Sequence, residues 1–137
     1  MKLSDYLSEF FAMREFEFTY IFTGGAIAHL IDSCWRYHEK DNEKLKPICV
    51  LHEQSGAMAI DAYSRATENI GVGFFTSGPG GTNAITGLAG AWQDSVPCLF
   101  ISGQVKQKET TNDAKILGLR QFGVQELDLI PIVKSLC

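Results

Sequence analysis

Glu53 is the residue of this chain whose type and setting most suggest chemistry. It stands in "PICVLHEQSGAMAIDAYSRA", after an apolar run and before a stretch rich in small residues. Three further segments, "TGGA" (23–26), "TSGPGGTN" (76–83) and "SGQV" (102–105), follow apolar runs of the same kind. An unpartnered carboxylate in an apolar place is costly, so Glu53 is expected to stay protonated or to share its proton with a partner. A basic ring nitrogen on a bound ligand would meet that need. Glycine in the other segments lets the backbone approach a ligand, and Pro79 stiffens the turn between Gly78 and Gly80. His52 points to the opposite face if strand alternation persists, and reads as a structural hydrogen-bonder rather than a base.

Each feature has a plainer reading. Glycines follow parallel strands because strand-to-helix turns are tight, and an acid in the first turn of a helix is favoured by the helix dipole. "TSGPGG" lacks the Lys of a Walker loop. Neither Gly71-x-Gly73 nor Gly78-x-Gly80 completes the dinucleotide pattern, since the third glycine position holds Thr76 or Asn83.

The elements that must position these residues follow from hydrophobic periodicity. Ser4 can cap a first helix carrying Leu7, Phe10 and Phe11, "FTYIF" reads as a strand, and Ile27, Leu30, Ile31 and Cys34 fall at helical spacing from 26 to about 37. "YHEKDNEKLK" is a charged surface connection, "PICVLH" a strand, and 53–67 a helix. "IGVGFFT" is the next strand and "SGPGG" a turn. Residues 82–92 then form a helix with Ile85, Leu88, Ala89 and Trp92 on one face, and "VPCLFIS" is a fourth strand. Apolar strands alternating with helices imply a parallel sheet covered on both faces, with ligands received beyond the carboxyl ends of its strands. All four unusual segments lie at that edge.

Composition narrows the partners. The chain has 137 residues, 45% hydrophobic and 20% charged, enough for one α/β unit with a core. A net charge of −4 without long basic runs argues against nucleic acid and anionic lipid. No apolar stretch approaches a membrane span and Asp5 and Glu9 interrupt the N-terminus, so no membrane association and a cytoplasmic location are expected. The four cysteines have no C-x-x-C spacing and read as buried free thiols.

Taken together, "IFTGGAIAHLID", "VLHEQSGAMAIDAYSRAT", "FFTSGPGGTNAITGLAGAWQDSVPCLFISGQV" and "FGVQELDLIPIVKS" resemble the N-terminal, pyrimidine-binding domain of thiamine-diphosphate enzymes, nearest the acetolactate-synthase-like group. The likeness runs from about Leu3 to the end of the chain. It implies an α/β fold of three layers, α/β/α, with a mainly parallel central sheet that is incomplete at the C-terminus. It makes Glu53 the catalytic glutamate that hydrogen-bonds a ring nitrogen of the aminopyrimidine and so promotes loss of the thiazolium C2 proton. Attack on a 2-oxo acid such as pyruvate, loss of carbon dioxide and carboligation then follow. Gly24, Gly25, Ala26, Thr76, Pro79 and Asn83 match positions beside the cofactor, and Gln125 a glutamine lining the active site.

The chain departs from that pattern in three places. Gly123-Val124 precede Gln125 where Ala-Phe is usual, "KQKETTNDAKILGLRQ" is longer than its counterpart, and "WRYHEKDNEKLK" adds residues before the Glu53 strand. These leave the substrate open, with a 2-oxo-acid decarboxylase or another thiamine-diphosphate lyase as the alternative and a non-catalytic scaffold or regulatory domain as a reading of another class. The family binds diphosphate through magnesium on a separate C-terminal domain whose G-D-G motif does not occur here, so no metal ligand is assigned to this chain; use of FAD stays open. Residues 1–137 are therefore expected to be one pyrimidine-binding domain. It would be a fragment of a longer protein or a domain that needs a partner, inactive alone and completed by the diphosphate-binding domain of another subunit in a homodimer or homotetramer.

Overall fold

The computed structural model describes residues 1–40 and 44–137. The charged connection expected at 37–46 includes residues 41–43, which lie outside the described residues. Helix α1 (Leu3–Met13) is followed by strand β1 (Phe18–Ile21), a 3-10 turn (Gly25–Ile27), α2 (Ala28–His38), β2 (Lys46–Cys49) and α3 (Glu53–Thr67). Then come β3 (Gly71–Phe75), the short α4 (Pro79–Asn83), α5 (Ile85–Gln93) and β4 (Cys98–Ser102). A 3-10 turn (Gln107–Glu109), α6 (Thr111–Ala114) and α7 (Ile130–Val133) end the chain.

The four strands form one sheet in the order β2-β1-β3-β4, and every pairing is parallel. Ile21, Val72 and Phe74 face the layer of α1 and α2, where Phe11, Ile27, Leu30 and Cys34 complete a core. Tyr20, Phe75 and Phe100 face the other layer, with Ala57 and Ile60 of α3 and with Ala84. The expected three-layer α/β/α fold with a parallel sheet is thus observed. Central β3 is buried along its whole length, as a strand covered on both faces requires. Its Gly73 leaves room for Ile60, since a Cβ there would overlap the Ile60 Cδ1, and the Gly71 amide donates to Ser64 Oγ at 2.8 Å. Those two contacts seat α3 close on the sheet, with its first residue at the carboxyl edge.

Several local expectations need correction. Ser4 does not cap α1; Lys2 takes that position without a side-chain hydrogen bond, and Ser4 sits in the first turn. The helix expected at 82–92 begins earlier, at Pro79, because proline's fixed φ and missing N–H suit the first helical position. The buried face of the helix that follows is not the one carrying Ile85, Leu88, Ala89 and Trp92. Gly87 and Ala91 are buried and Trp92 is exposed, because the small residues admit α3 to close contact. Of the cysteines only Cys34 is fully buried; Cys98 is half-buried, and Cys49 and Cys137 are exposed.

Candidate functional site

Glu53 owes its position to the way α3 starts. His52 is extended, with φ −159° and ψ 138°, and its Nδ1 accepts from the Gln54 amide at 3.2 Å, capping the helix. Ser55 Oγ donates to the His52 carbonyl at 2.8 Å. His52 is therefore a structural hydrogen-bonder, and Glu53 becomes the first residue of the helix, where the unpaired N–H groups favour an acid. Its side chain is turned inward, leaving the residue 6% exposed. Asn83 Nδ2 donates to Glu53 Oε2 at 3.1 Å. Among the described residues Oε1 has no hydrogen-bonding partner.

The turn after β3 forms the facing wall. Gly78 adopts φ 57°, a conformation that favours glycine, and a Cβ there would also overlap the carbonyl oxygen of Gln125. Thr82 donates its amide to the Gly78 carbonyl at 3.0 Å, which starts α4 with Pro79 exposed at its first turn and Asn83 at its end. Thr76 is wedged between two glycines. A Cβ on Gly24 would overlap its side chain, and one on Gly80 would lie 2.6 Å from its Cγ2. Ser102 Oγ donates to the Thr76 carbonyl at 3.1 Å, and a Cβ on Gly103 would come 2.5 Å from the Ala26 carbonyl oxygen. The ends of β1, β3 and β4 are therefore one packed edge beside Glu53.

The site residues expected from sequence divide by what they touch. Gly24 and Thr76 meet each other, Asn83 meets Glu53, and Ala26 packs by its backbone against Gly103. Gly25 is exposed and a Cβ there would meet nothing within 4 Å, so it is the glycine of this turn that borders open space. Gln125 is exposed with φ 55°, and reaches the site through its backbone carbonyl against Gly78.

Residues 106–121, whose role the sequence left open, brace the approach of Gln125. Thr111 Oγ1 donates to Glu126 Oε1 at 3.1 Å, Asn112 Nδ2 to Asp128 Oδ2 at 3.2 Å, and the Gly123 amide to the Glu109 carbonyl at 2.8 Å. Glu126 is 5% exposed, and its other oxygen has no partner among the described residues. No local pattern in the sequence pairs it with a threonine fifteen residues earlier. A cavity of about 620 Å³ between α5, β4 and α7 is lined by Glu126, Leu88, Phe100 and Val133 but not by Glu53.

No group of three or more His, Cys, Asp or Glu able to share a metal ion occurs among the described residues, and no helix among them is long and apolar enough to cross a membrane. A carboxylate on a largely buried residue, with one oxygen anchored and the other without a partner among the described residues, is suited to sharing a proton with a flat heterocycle.

A family model described as the N-terminal TPP binding domain of thiamine pyrophosphate enzymes matches residues 1–132. Acetolactate synthase large subunits from Cyanidium caldarium and Parasynechococcus marenigrum are 44% identical over 117 and 118 residues. An acetolactate synthase from Arthrospira platensis is 40% identical over 117 residues. Each alignment covers 82% of this chain but 18%, 17% and 18% of the respective relative, so the chain spans less than a fifth of the length of the curated proteins it matches.

Proposed function

Since the chain belongs to the thiamine pyrophosphate enzyme family, matching its N-terminal TPP binding domain over nearly its whole length, we propose that the Glu53 crevice receives the aminopyrimidine end of thiamine diphosphate. The observation that carries this reading is Glu53, a residue only 6% exposed, with Oε2 held by Asn83 and Oε1 without a partner among the described residues. When bound, the cofactor supplies an acidic thiazolium carbon able to add to the carbonyl of a 2-oxo acid.

The chain's own residues do the rest of the work at this end. Glu53 Oε1 shares a proton with the ring nitrogen, and the bound ring would cover that oxygen and keep water from competing for the proton. The open space at Gly25 lets the ring approach the backbone, and Thr76, clamped by Gly24 and Gly80, fixes the depth of the crevice. Pro79 holds the opening of α4, and Ala26 the turn opposite. Gln125 lines the entry on the side where a second carbonyl compound would arrive.

The likeness to acetolactate synthase large subunits extends the proposal to the protein as a whole: a carboligase of 2-oxo acids such as pyruvate. The diphosphate and its magnesium would be held by a diphosphate-binding domain of another subunit, in a homodimer or homotetramer.

The test is deuterium exchange at thiazolium C2 with thiamine diphosphate in excess over the protein. The expected result is exchange faster than in the free cofactor, slowed about 10²- to 10⁴-fold in Glu53→Gln, which keeps a hydrogen-bonding group but not an acidic proton. Equal exchange in the two proteins, both folded, would remove Glu53 from this role.

A further inference from the structure

We propose that Asn83 is a positioning residue for Glu53: its amide fixes the carboxyl so that Oε1 alone faces the ligand and carries the shared proton. This deepens, and rests on, the reading of the crevice as a pyrimidine site. The two residues are thirty positions apart, one opening α3 and the other ending α4, and Asn83 Nδ2 donates to Glu53 Oε2 at 3.1 Å. An amide NH₂ only donates, so an oxygen facing it cannot also point a proton toward it. A hydroxyl oxygen is the weaker acceptor, so a proton on this carboxyl is favoured on Oε1.

No other hydrogen bond among the described residues sets the orientation. The last torsion of a glutamate is broad and roughly two-fold, so packing alone discriminates its two oxygens poorly. The Asn83 amide is the hydrogen bond that distinguishes them. Asn83 is itself exposed, so truncating it opens no cavity in the core, and its effect belongs to Glu53 rather than to packing. Both ends of the bond are backed by firm structure. His52 caps α3 behind Glu53, and the Gly78 turn with Pro79 sets the start of α4.

The test uses the 137-residue chain without cofactor, and the hydroxymethyl aminopyrimidine moiety of thiamine as probe. The side-chain amide resonance of Asn83, identified by its loss in Asn83→Ala, is expected to move in Glu53→Gln; an unmoved resonance overturns the contact. In a chemical-shift titration with the pyrimidine, Asn83→Ala is expected to bind about tenfold more weakly than wild type, the scale of one hydrogen bond to a charged group. Asn83→Asp should bind more weakly still and lose stability, because two carboxyl groups then face each other. Combining Asn83→Asp with Glu53→Gln reverses donor and acceptor. That pair is expected to recover stability while pyrimidine binding stays lost. Wild-type affinity in Asn83→Ala, with binding lost in Glu53→Gln, overturns the positioning role and leaves the pyrimidine site standing. Wild-type affinity in Glu53→Gln removes the pyrimidine site and this role with it.

Discussion

The side chain of Thr76 occupies the space that Gly24 leaves by having no Cβ, so the turn after β1 and the turn after β3 fit together like a tongue in a slot. The next residue, Gly25, meets nothing within 4 Å of where its Cβ would be. The two adjacent glycines therefore differ: packing requires the absence of a Cβ at Gly24 and does not require it at Gly25. Gly24→Ala is expected to destabilise the chain by about 1–3 kcal/mol, the usual cost of overpacking, whereas Gly25→Ala should stay within about 0.5 kcal/mol of wild type. Pyrimidine binding should weaken in Gly25→Ala despite its intact fold. Urea unfolding and the shift titration separate the two effects, and equal stability losses would show that Gly25 is a packing residue as well.

A second expectation concerns the clamp between α1 and α2. Arg36 donates to Asp5 Oδ1 at 2.7 Å and Ser33 Oγ donates to the same oxygen at 2.9 Å. The guanidinium bond first, and the hydroxyl second, hold the Asp5 carboxyl below its ordinary value of 3.8. A carboxyl more acidic in the folded chain contributes stability that is complete above 3.8 and is lost as pH falls through the lower folded value. Asp5→Asn should therefore be less stable than wild type at neutral pH, with the gap closing below pH 3.8. The pair is partly exposed, so the gap is small and narrows with added salt. Denaturant midpoints at the two pH values measure it; a gap that widens in acid contradicts the assignment.

Thiol reactivity should follow burial. Cys34 is 0% exposed, and burial pushes its thiol up to about 11, partly offset by the contact with Ser8 Oγ at 3.3 Å. A thiol that is neutral and out of reach does not react. Cys98 is half-buried and also raised, chiefly by burial. Iodoacetamide at mildly alkaline pH is expected to label Cys49 and Cys137 first, Cys98 slowly, and Cys34 only on unfolding. Peptide mass mapping over time reads the order, and early labelling of Cys34 would mean that α1 leaves the sheet readily.

Much of the fold, and the gathering of the glycine turns at one edge of the sheet, were legible because they follow from periodicity and glycine. β3 is apolar throughout and wholly buried, and the segments after β1, β3 and β4 all reach one edge. The pairings within that edge were not legible. Nothing near Asn83 in sequence marks it as the partner of Glu53, and nothing near Thr111 marks it as the partner of Glu126, since both contacts depend on how separate turns pack. Side-chain size also misled at α5. A large apolar stripe is the natural choice for the inward face, yet here close helix approach selects the small residues instead.

That inversion supports a last prediction. A Cβ on Gly87 would lie 2.5 Å from the Ala57 Cβ and 2.8 Å from the Ala57 carbonyl carbon, whereas Trp92, on the same helix, is 58% exposed. Gly87→Val should force α5 away from α3 at a cost of about 1–3 kcal/mol, while Trp92→Ala, the larger change in volume, should cost no more than about 0.5 kcal/mol. The displacement has a consequence at the site, because Glu53 opens α3 and Asn83 stands two residues before the start of α5. Moving α5 away from α3 is expected to draw Asn83, at the end of α4 just before it, away from Glu53 and to stretch their 3.1 Å bond. Gly87→Val is therefore expected to shift the Asn83 side-chain amide resonance in the direction seen for Glu53→Gln and to weaken pyrimidine binding, with Trp92→Ala leaving both unchanged. Greater loss of stability in Trp92→Ala than in Gly87→Val would mean that the apolar stripe, not the small-residue seam, holds this helix in place.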